Sequence, residues 1–298
     1  MAELILSNEK NEHKIENQIQ QVGEALQDVG EELVHVVAKP GEIIIDSIYK
    51  FFYFLGDFSI LFFSAFKCIL RGAVSSKDTF YQMAAMGVSS LPIILITVAF
   101  SGAVLSLYMS QIVVRWGVGS YTGGVVALSI TREIAPVLTA VIVAARSGSA
   151  IAAELGSMKV TEQIDALKAL AVNPIEYLVV PRLIAAVVMM PLLGVIADVV
   201  GTYAGYLVAV INGVAGGGFI NSIRSEITMH DITMGMIKTI FFAVVISIVG
   251  SQQGLQTTGG ATGVGKSTTG AVVISIVIIY ILNFLLAYIM FGGRTAFL

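Results

Sequence analysis

The sequence predicts an all-α polytopic membrane protein with about five transmembrane helices. Of its 298 residues, 56% are hydrophobic and only 12% are charged, and the mean hydropathy is +0.87, far from the composition of ordinary soluble domains. The apolar residues are also gathered into long uncharged runs, such as residues 79–114. A helix needs about 20 such residues to cross the hydrocarbon core, so most of the chain is expected to lie in lipid.

The five predicted spans follow from these runs and from the polar segments between them. Trp116 stands after the first span, where an aromatic side chain anchors a helix at the interface. Basic residues are most frequent before the first span and between the second and third, so the positive-inside rule predicts a cytoplasmic N-terminus. The spans are expected at about residues 91–114, 122–156, 183–211, 232–251 and 269–291.

Residues 1–38 form an acidic N-terminal extension. Apolar residues from Ile15 to Val36 repeat at alternating spacings of four and three, a pattern typical of coiled coils. The pattern is short, and two interpretations stay open: one amphipathic helix, or a coiled coil with a partner.

Residues 39–78 are apolar and rich in aromatic side chains, but Lys50, Asp57 and Lys67 interrupt them. The uncharged runs between these charges are too short for a span. We therefore expect an amphipathic helix lying in the interface. The alternative is a sixth span or a re-entrant hairpin.

The segment between the second and third spans is the most charged part of the second half of the chain. Its middle, residues 161–171, has the pattern of a short amphipathic helix, with Ile164, Leu167, Leu170 and Ala171 expected on one face. Asn173 and Pro174 then end the helix. A short helix at the cytoplasmic side between two spans is a suitable docking surface for a soluble partner.

Charges inside spans are costly and mark functional candidates. Arg132 and Glu133 lie in the second span and Asp198 in the third; each could instead pair with another span or satisfy a helix contact. Arg146 and Glu154 are expected to form an ion pair at the cytoplasmic end of the second span or to extend toward water.

Residues 260–267, GATGVGKS, match the G-x-x-x-x-G-K-[ST] pattern of a phosphate-binding loop. That loop requires a preceding strand, whereas residues 240–250 have the composition of a membrane helix. We interpret the segment as a flexible turn between the fourth and fifth spans. The chain has a single cysteine, so no disulfide is expected within it, and its three histidines are too scattered to predict a metal site. It has no basic tract, so no nucleic-acid partner is expected.

Several segments together resemble one family. They are ALSITREIAPVLTA, ARSGSAIAAELGSMKVTEQIDAL followed by NPIEYLVVPR, ITMHDITMGMIKTIFFA, GLQTTGGATGVGKSTTGAVV and the closing FGG. They are similar to the MlaE/YrbE permeases, the membrane subunits of bacterial lipid-transporting ABC systems, from about Tyr49 to the C-terminus. The resemblance implies an MlaE-like ABC permease fold, with residues 79–298 as the permease domain.

The resemblance also indicates candidate sites. In the family, the first and fifth spans of two subunits enclose the lipid, and the helix between the second and third spans contacts the ATPase. Spacing of i, i+3, i+4 and i+7 places four residues on one face of the first span, although each of them could equally face bulk lipid or pack on the fifth span. The expected lipid-binding residues are Leu105, Tyr108, Met109, Ile112, Arg132, Glu133, Asn283 and Tyr288. The expected ATPase-coupling residues are Glu162, Gln163, Asp165, Ala166 and Leu167.

The implied protein is a non-enzymatic homodimeric permease of the bacterial inner membrane. It would move phospholipid to or from a periplasmic MCE-domain carrier and help to maintain outer-membrane lipid asymmetry. ATP and Mg²⁺ would be bound by a separate cytoplasmic ABC ATPase, and this chain would bind no cofactor. Two other classes remain: an ion-gradient-driven transporter using Asp198, Arg132 and Glu133, and a non-transporting scaffold using the N-terminal repeat.

Overall fold

The computed structural model describes residues 48–49, 52–72, 74–117 and 119–292, and these residues are almost entirely helical, with no strand among them. The described residues from Phe58 onward belong to one compact unit, and those before it belong to another. The predicted N-terminal repeat lies outside the described residues. The all-α polytopic fold predicted from the sequence is confirmed.

Six helices in the described ranges are long and apolar enough to cross a membrane. Two shorter helices lie between them: α4 (Gln163–Ala169) and α6 (Gly216–Glu226). The six long helices are α1 (Phe52–Leu70), α2 (Ser76–Arg115), α3 (Thr122–Val160), α5 (Ile175–Ile211), α7 (Met229–Leu255) and α8 (Gly260–Phe291).

Each of the five expected spans lies within one of these helices, but α2 begins well before residue 91. Ser75 caps it, its hydroxyl accepting a 3.4 Å hydrogen bond from the backbone N–H of Asp78. The 40 residues of α2 extend about 60 Å, about twice the hydrocarbon thickness. Part of α2 therefore projects beyond the bilayer core.

Helix α1 is the sixth helix with the length and composition of a span. Its Leu61, Ala65 and Cys68 pack into a buried cluster with residues of α5 and α7, including Val180 and Ile248. Length and composition are compatible with crossing the membrane or lying in its interface. The interfacial location remains a prediction.

Helices α2 and α5 contact each other closely through small residues. A Cβ added at Gly102 would overlap the carbonyl oxygen of Gly201, so the two backbones pass in direct contact. One turn later, the Ser106 hydroxyl donates a 2.6 Å hydrogen bond to the carbonyl of Gly205. Such contacts are typical of membrane helices, whose association depends on close packing rather than on exclusion of water.

Three single-turn π-helical segments interrupt the regular helices. Two lie in α3, at Ile130–Ile134 and Ala144–Gly148, and the third opens α5 at Ile175–Val179. Such bulges often occur at functional sites. The first carries Arg132 and Glu133.

The connector helix α4 is shorter than predicted. It is preceded by Glu162 and followed by Ala171, both with φ +59°, a left-handed conformation that stops a helix. The expected common apolar face is wrong: Ile164 is 2% exposed, whereas Leu170 is 74% exposed. Ile164 anchors α4 on the protein, and Leu170 faces outward.

The expected flexible turn at residues 260–267 is also wrong. Helix α8 begins at Gly260, so the whole GATGVGKS segment is helical, and it follows the helix α7. Gly259 and Gly260 supply the positive φ values of the tight bend, +85° and +69°. A phosphate-binding loop needs a preceding strand and a non-helical backbone from its first glycine to its lysine, and this segment has neither.

The predicted partner of Glu154 is corrected as well. Glu154 pairs with Arg182 at 2.8 Å, which joins the cytoplasmic ends of α3 and α5 as the orientation prediction assigns them. Arg182 is buried and also donates to the Leu178 carbonyl at 2.5 Å. Sequence proximity favoured Arg146, but Arg146 lies two turns away on an exposed surface of α3.

Candidate functional site

A fully buried lysine is the centre of the polar site between α3, α7 and α8. Lys238 Nζ lies 2.7 Å from Glu133 Oε1, 2.8 Å from the Arg132 carbonyl oxygen and 3.2 Å from Asn283 Oδ1. All three are acceptors, so the three N–H groups of the ammonium each have a partner. A lysine within a membrane helix requires such compensation.

Asn283 connects the other side of this site. Its amide nitrogen donates a 2.7 Å hydrogen bond to Glu133 Oε2, while its amide oxygen accepts from Lys238. Both carboxylate oxygens of Glu133 are therefore engaged, and three helices are joined by one hydrogen-bonded ring of side chains. Satisfied networks of this kind fix side-chain positions strongly.

Arg132 forms a separate ion pair with the start of α7. Its guanidinium contacts Asp231 Oδ1 through Nη2 at 2.6 Å and Nε at 2.8 Å. Asp231 Oδ2 accepts from the Thr228 backbone N–H and hydroxyl at 2.9 and 2.7 Å, completing a capping box for α7. The Phe291 ring lies 4.5 Å from Arg132 Cζ, a cation–π contact.

The geometry of α7 explains how two consecutive residues reach two partners. Asp231 and Lys238 are seven residues apart, two helical turns, and so lie on one face of α7. Between them, a Cβ added at Gly235 would lie 2.7 Å from the Thr131 carbonyl oxygen. The absence of a side chain there lets α7 run directly against the π-helical segment. The two acidic and two basic side chains sum to zero charge.

A cavity of about 430 Å³ adjoins this network. Glu133 and Asn283 belong to its lining, together with three aliphatic side chains of α3, Tyr280 of α8 and Ser101 of α2. An apolar cavity with a few fixed polar groups is the usual form of a small-molecule site. It is lined by Ser101, Glu133, Ile134, Val137, Leu138, Tyr280 and Asn283.

The structure brings only some of the predicted lipid-binding residues together. Glu133 and Asn283 line the cavity, and Arg132 adjoins them through its pair with Asp231. The stripe on α2 and Tyr288 of α8 are not among the lining residues, and they lie on half-buried or exposed surfaces. These residues are Leu105, Tyr108, Met109, Ile112 and Tyr288.

The predicted coupling residues form a largely exposed surface around α4. Asp165 bonds Lys168 at 2.9 Å and Lys159, the last basic residue of α3, at 3.1 Å. Hydrogen bonds from these two ammonium groups lower the pKa of the Asp165 carboxyl below its ordinary value. Leu167 is half-buried; Glu162, Gln163, Asp165 and Ala166 are exposed.

Comparison with known proteins identifies the family. The family model described as permease MlaE matches residues 79–289. The chain belongs to the MlaE permease family. It is 44% identical to a probable ABC transporter permease of Synechocystis sp. over 229 residues, 76% of this chain and 86% of that protein. A probable ABC transporter permease of Rickettsia typhi is 40% identical over 81% of this chain and 94% of its own.

A plant relative extends the comparison. The chloroplastic protein TRIGALACTOSYLDIACYLGLYCEROL 1 of Arabidopsis thaliana is 39% identical over 226 residues, 76% of this permease and 65% of the plant protein. Its name is that of a lipid. The family assignment confirms the resemblance found in the sequence.

Two residues of this permease's network were missed by the sequence analysis. Lys238 lies in the fourth predicted span, and Asp231 is the residue directly before the start of that span. The cost of charge in a span, which singled out Arg132 and Glu133, applies equally to Lys238. Two acidic and two basic side chains in neighbouring spans were therefore a sequence signal for mutual pairing.

Proposed function

We propose that this permease moves phospholipid or a related lipid across or out of the bacterial inner membrane, as a homodimer driven by a separate cytoplasmic ABC ATPase. A periplasmic MCE-domain carrier delivers or receives the lipid. The cavity beside Glu133 and Asn283 supports this proposal most directly, because its apolar walls suit acyl chains and its polar groups suit a headgroup. The lipid in the plant relative's name points the same way.

The connector helix α4 can transmit movement of the bound ATPase to the spans α3 and α5. Ile164 anchors α4 on the protein, and the Lys159–Asp165 pair ties α4 to the end of α3. The Glu154–Arg182 pair joins α3 to α5. A partner that pushes α4 on binding ATP would therefore move the ends of both helices together. The π-helical segment Ala144–Gly148 lies between this region and the cavity and offers a place for α3 to adjust.

The cavity then changes as the helices move. Val137 and Leu138 lie on α3 between the two π-helical segments, so displacement of α3 alters one wall of the cavity while α2 and α8 form the others. The N-terminus is assigned to the cytoplasm on the basic-residue distribution. The gradient-driven alternative gains no support, since Arg132 and Glu133 pair with Asp231 and Lys238 rather than with Asp198.

The proposal is tested by gentle purification of the tagged permease from its native membrane, with identification of co-purifying proteins and lipid. The wild type is expected to retain a P-loop ATPase and phospholipid. The double variant Asp165→Arg with Leu167→Glu is expected to lose the ATPase, because it reverses charge and places a carboxylate in the docking surface. Arg224→Glu, an exposed charge reversal on α6, serves as the matched control and retains it.

Failure to recover any ATPase from the wild type under gentle conditions would contradict an ABC mechanism. Retention of the ATPase by the double variant would instead show that α4 is not the docking surface.

A further inference from the structure

A second cavity, of about 510 Å³, is lined mainly by α5 and α6, with one residue each from α3 and α7. It shares no lining residue with the cavity beside Glu133. Most of its walls are aliphatic or aromatic. It is lined by Thr131, Val195, Asp198, Val199, Thr202, Tyr203, Tyr206, Phe219, Ile220, Ile223, Ile227 and Ile232.

Asp198 is the only charged residue in that lining. Its Oδ1 atom is buried and has no hydrogen-bond partner. A carboxylate oxygen left unpaired inside a membrane protein is costly, and a ligand that supplies a donor lowers that cost. The hydroxyls of two threonines and two tyrosines also belong to the cavity, but none of them bonds this oxygen.

The charge of the lining restricts the ligand. No lining residue is basic, so a phosphate group placed here would face Asp198 without a compensating cation, and like charges at short range repel. A head that donates a hydrogen bond, either a hydroxyl or an ammonium group, meets the carboxylate favourably. The size of the cavity is within the usual range of about 300–1,000 Å³ for small-molecule sites.

We infer that this cavity binds a membrane amphiphile whose small head donates a hydrogen bond to Asp198 and whose apolar body lies along α6. Ile220, Ile223 and Phe219 form the apolar side of the site. Val199 and Tyr203 are more than half exposed at its rim, so the ligand can enter laterally from the lipid. The site is independent of the proposed transport cavity.

The π-helical segment Ile130–Ile134 separates the two cavities. Thr131 lines the cavity that contains Asp198, whereas Glu133 lines the other. Arg132, between them, is held by Asp231. The two sites are thus adjacent but chemically different, one with a lone carboxylate and the other with a neutralised network.

The test uses the purified permease in nanodiscs of phosphatidylcholine, whose headgroup has no N–H or O–H donor. Three diazirine-bearing probes of equal chain length are compared: a long-chain alcohol, the matching amine and the matching methyl ether. Mass spectrometry locates the labelled peptides. The alcohol, the amine or both are expected to label residues 195–206 and 219–232 about tenfold more than the ether, as for one hydrogen bond to a charged group.

Two variants decide the result. Asp198→Leu removes the acceptor and is expected to reduce labelling to the level of the ether. Asp198→Asn keeps an acceptor without the charge, so it retains labelling by a hydroxyl head and loses labelling by an ammonium head. Equal labelling by all three probes, or labelling of Asp198→Leu at the wild-type level, would overturn the inference.

Ile223→Trp fills the cavity from α6 and leaves Asp198 unchanged, so it separates binding in the cavity from binding at the surface. It is expected to abolish labelling by every probe, and retention would overturn the inference. Size-exclusion profiles establish that each variant is folded. Recovery of phospholipid with the protein is expected to be unchanged in these variants, which distinguishes this site from the proposed transport function.

Discussion

Lys238 of α7 and Glu133 of α3 form a 2.7 Å ion pair whose two members differ in exposure: the Lys238 side chain is 0% exposed and that of Glu133 is 42% exposed. The lysine depends on the glutamate for compensation more than the reverse. Replacing the glutamate alone and replacing the lysine alone are therefore expected to lower the free energy of unfolding by different amounts.

Glu133→Leu is expected to lower the free energy of unfolding by about 3–5 kcal/mol, the usual cost of leaving a buried charge unpaired. Lys238→Met is expected to cost less, because Glu133 is partly solvated and keeps its hydrogen bond from Asn283. Thermal unfolding in one detergent compares the two.

Glu133→Gln is the matched control, since its amide oxygen can still accept from Lys238. We expect a stability between those of the wild type and Glu133→Leu. The opposite order, with Lys238→Met less stable than Glu133→Leu, would show that the lysine contributes mainly through its contacts with Arg132 and Asn283.

The close contact of α2 with α5 predicts how two glycine-to-alanine variants differ in stability. Gly102→Ala introduces a Cβ into the Gly201 carbonyl, and overpacking of this kind costs about 1–3 kcal/mol. Gly217→Ala, in the exposed first turn of α6, meets no atom within 4 Å and is expected to be neutral or stabilising, because alanine favours helix. The melting temperatures of the two variants are compared with that of the wild type. If Gly102→Ala melts at the wild-type temperature, α2 and α5 can move apart without a loss of stability, which would contradict the prediction.

Asp165 gives a pH prediction for the connector. Its hydrogen bonds from Lys168 and Lys159 lower its pKa, so the folded state favours the ionised form. This contribution is fully present above the ordinary pKa of an aspartate and is lost as the pH falls through the lowered value. A ¹³C NMR titration of the carboxyl carbon is expected to give a midpoint below that of an exposed aspartate.

The double variant Lys159→Met with Lys168→Met is expected to return the Asp165 midpoint toward its ordinary value. Lys67→Met, which changes a lysine of α1 outside this cluster, is expected to leave it unchanged. An unshifted wild-type midpoint would indicate that the lysines do not hold Asp165 in solution.

Helix existence was predictable because it depends on local composition. The run of residues 79–114 and the apolar segments around Asp198 and Ile246 each exceed the length of a span, whatever lies beside them. Helix ends were less predictable, because they depend on single backbone conformations. Ser75 extends α2, and the positive φ of Gly259 and Gly260 allows α8 to begin inside a segment that resembled a loop.

Side-chain pairing could not be derived from sequence spacing. Arg132 meets a residue 99 positions away, and Glu133 meets one 105 positions away. Glu154 pairs across the connector with Arg182 rather than within its own helix with Arg146. The need for compensating charges was evident from the cost of burial, but the partners were set by how α3, α5 and α7 pack. The π-helical segments had no sequence signal that we recognised.

The most direct measurement of the central claim is photo-crosslinking from Ser101, which lines the cavity beside Glu133. A photoreactive amino acid replaces Ser101 in one variant and Ile96, exposed on the same helix, in another. Both are reconstituted with the ATPase and radiolabelled phospholipid. Lipid transport through this cavity predicts that ATP changes the phospholipid crosslinked at residue 101 and leaves that at residue 96 unchanged. Crosslinking that is equal at the two sites and insensitive to ATP would contradict it.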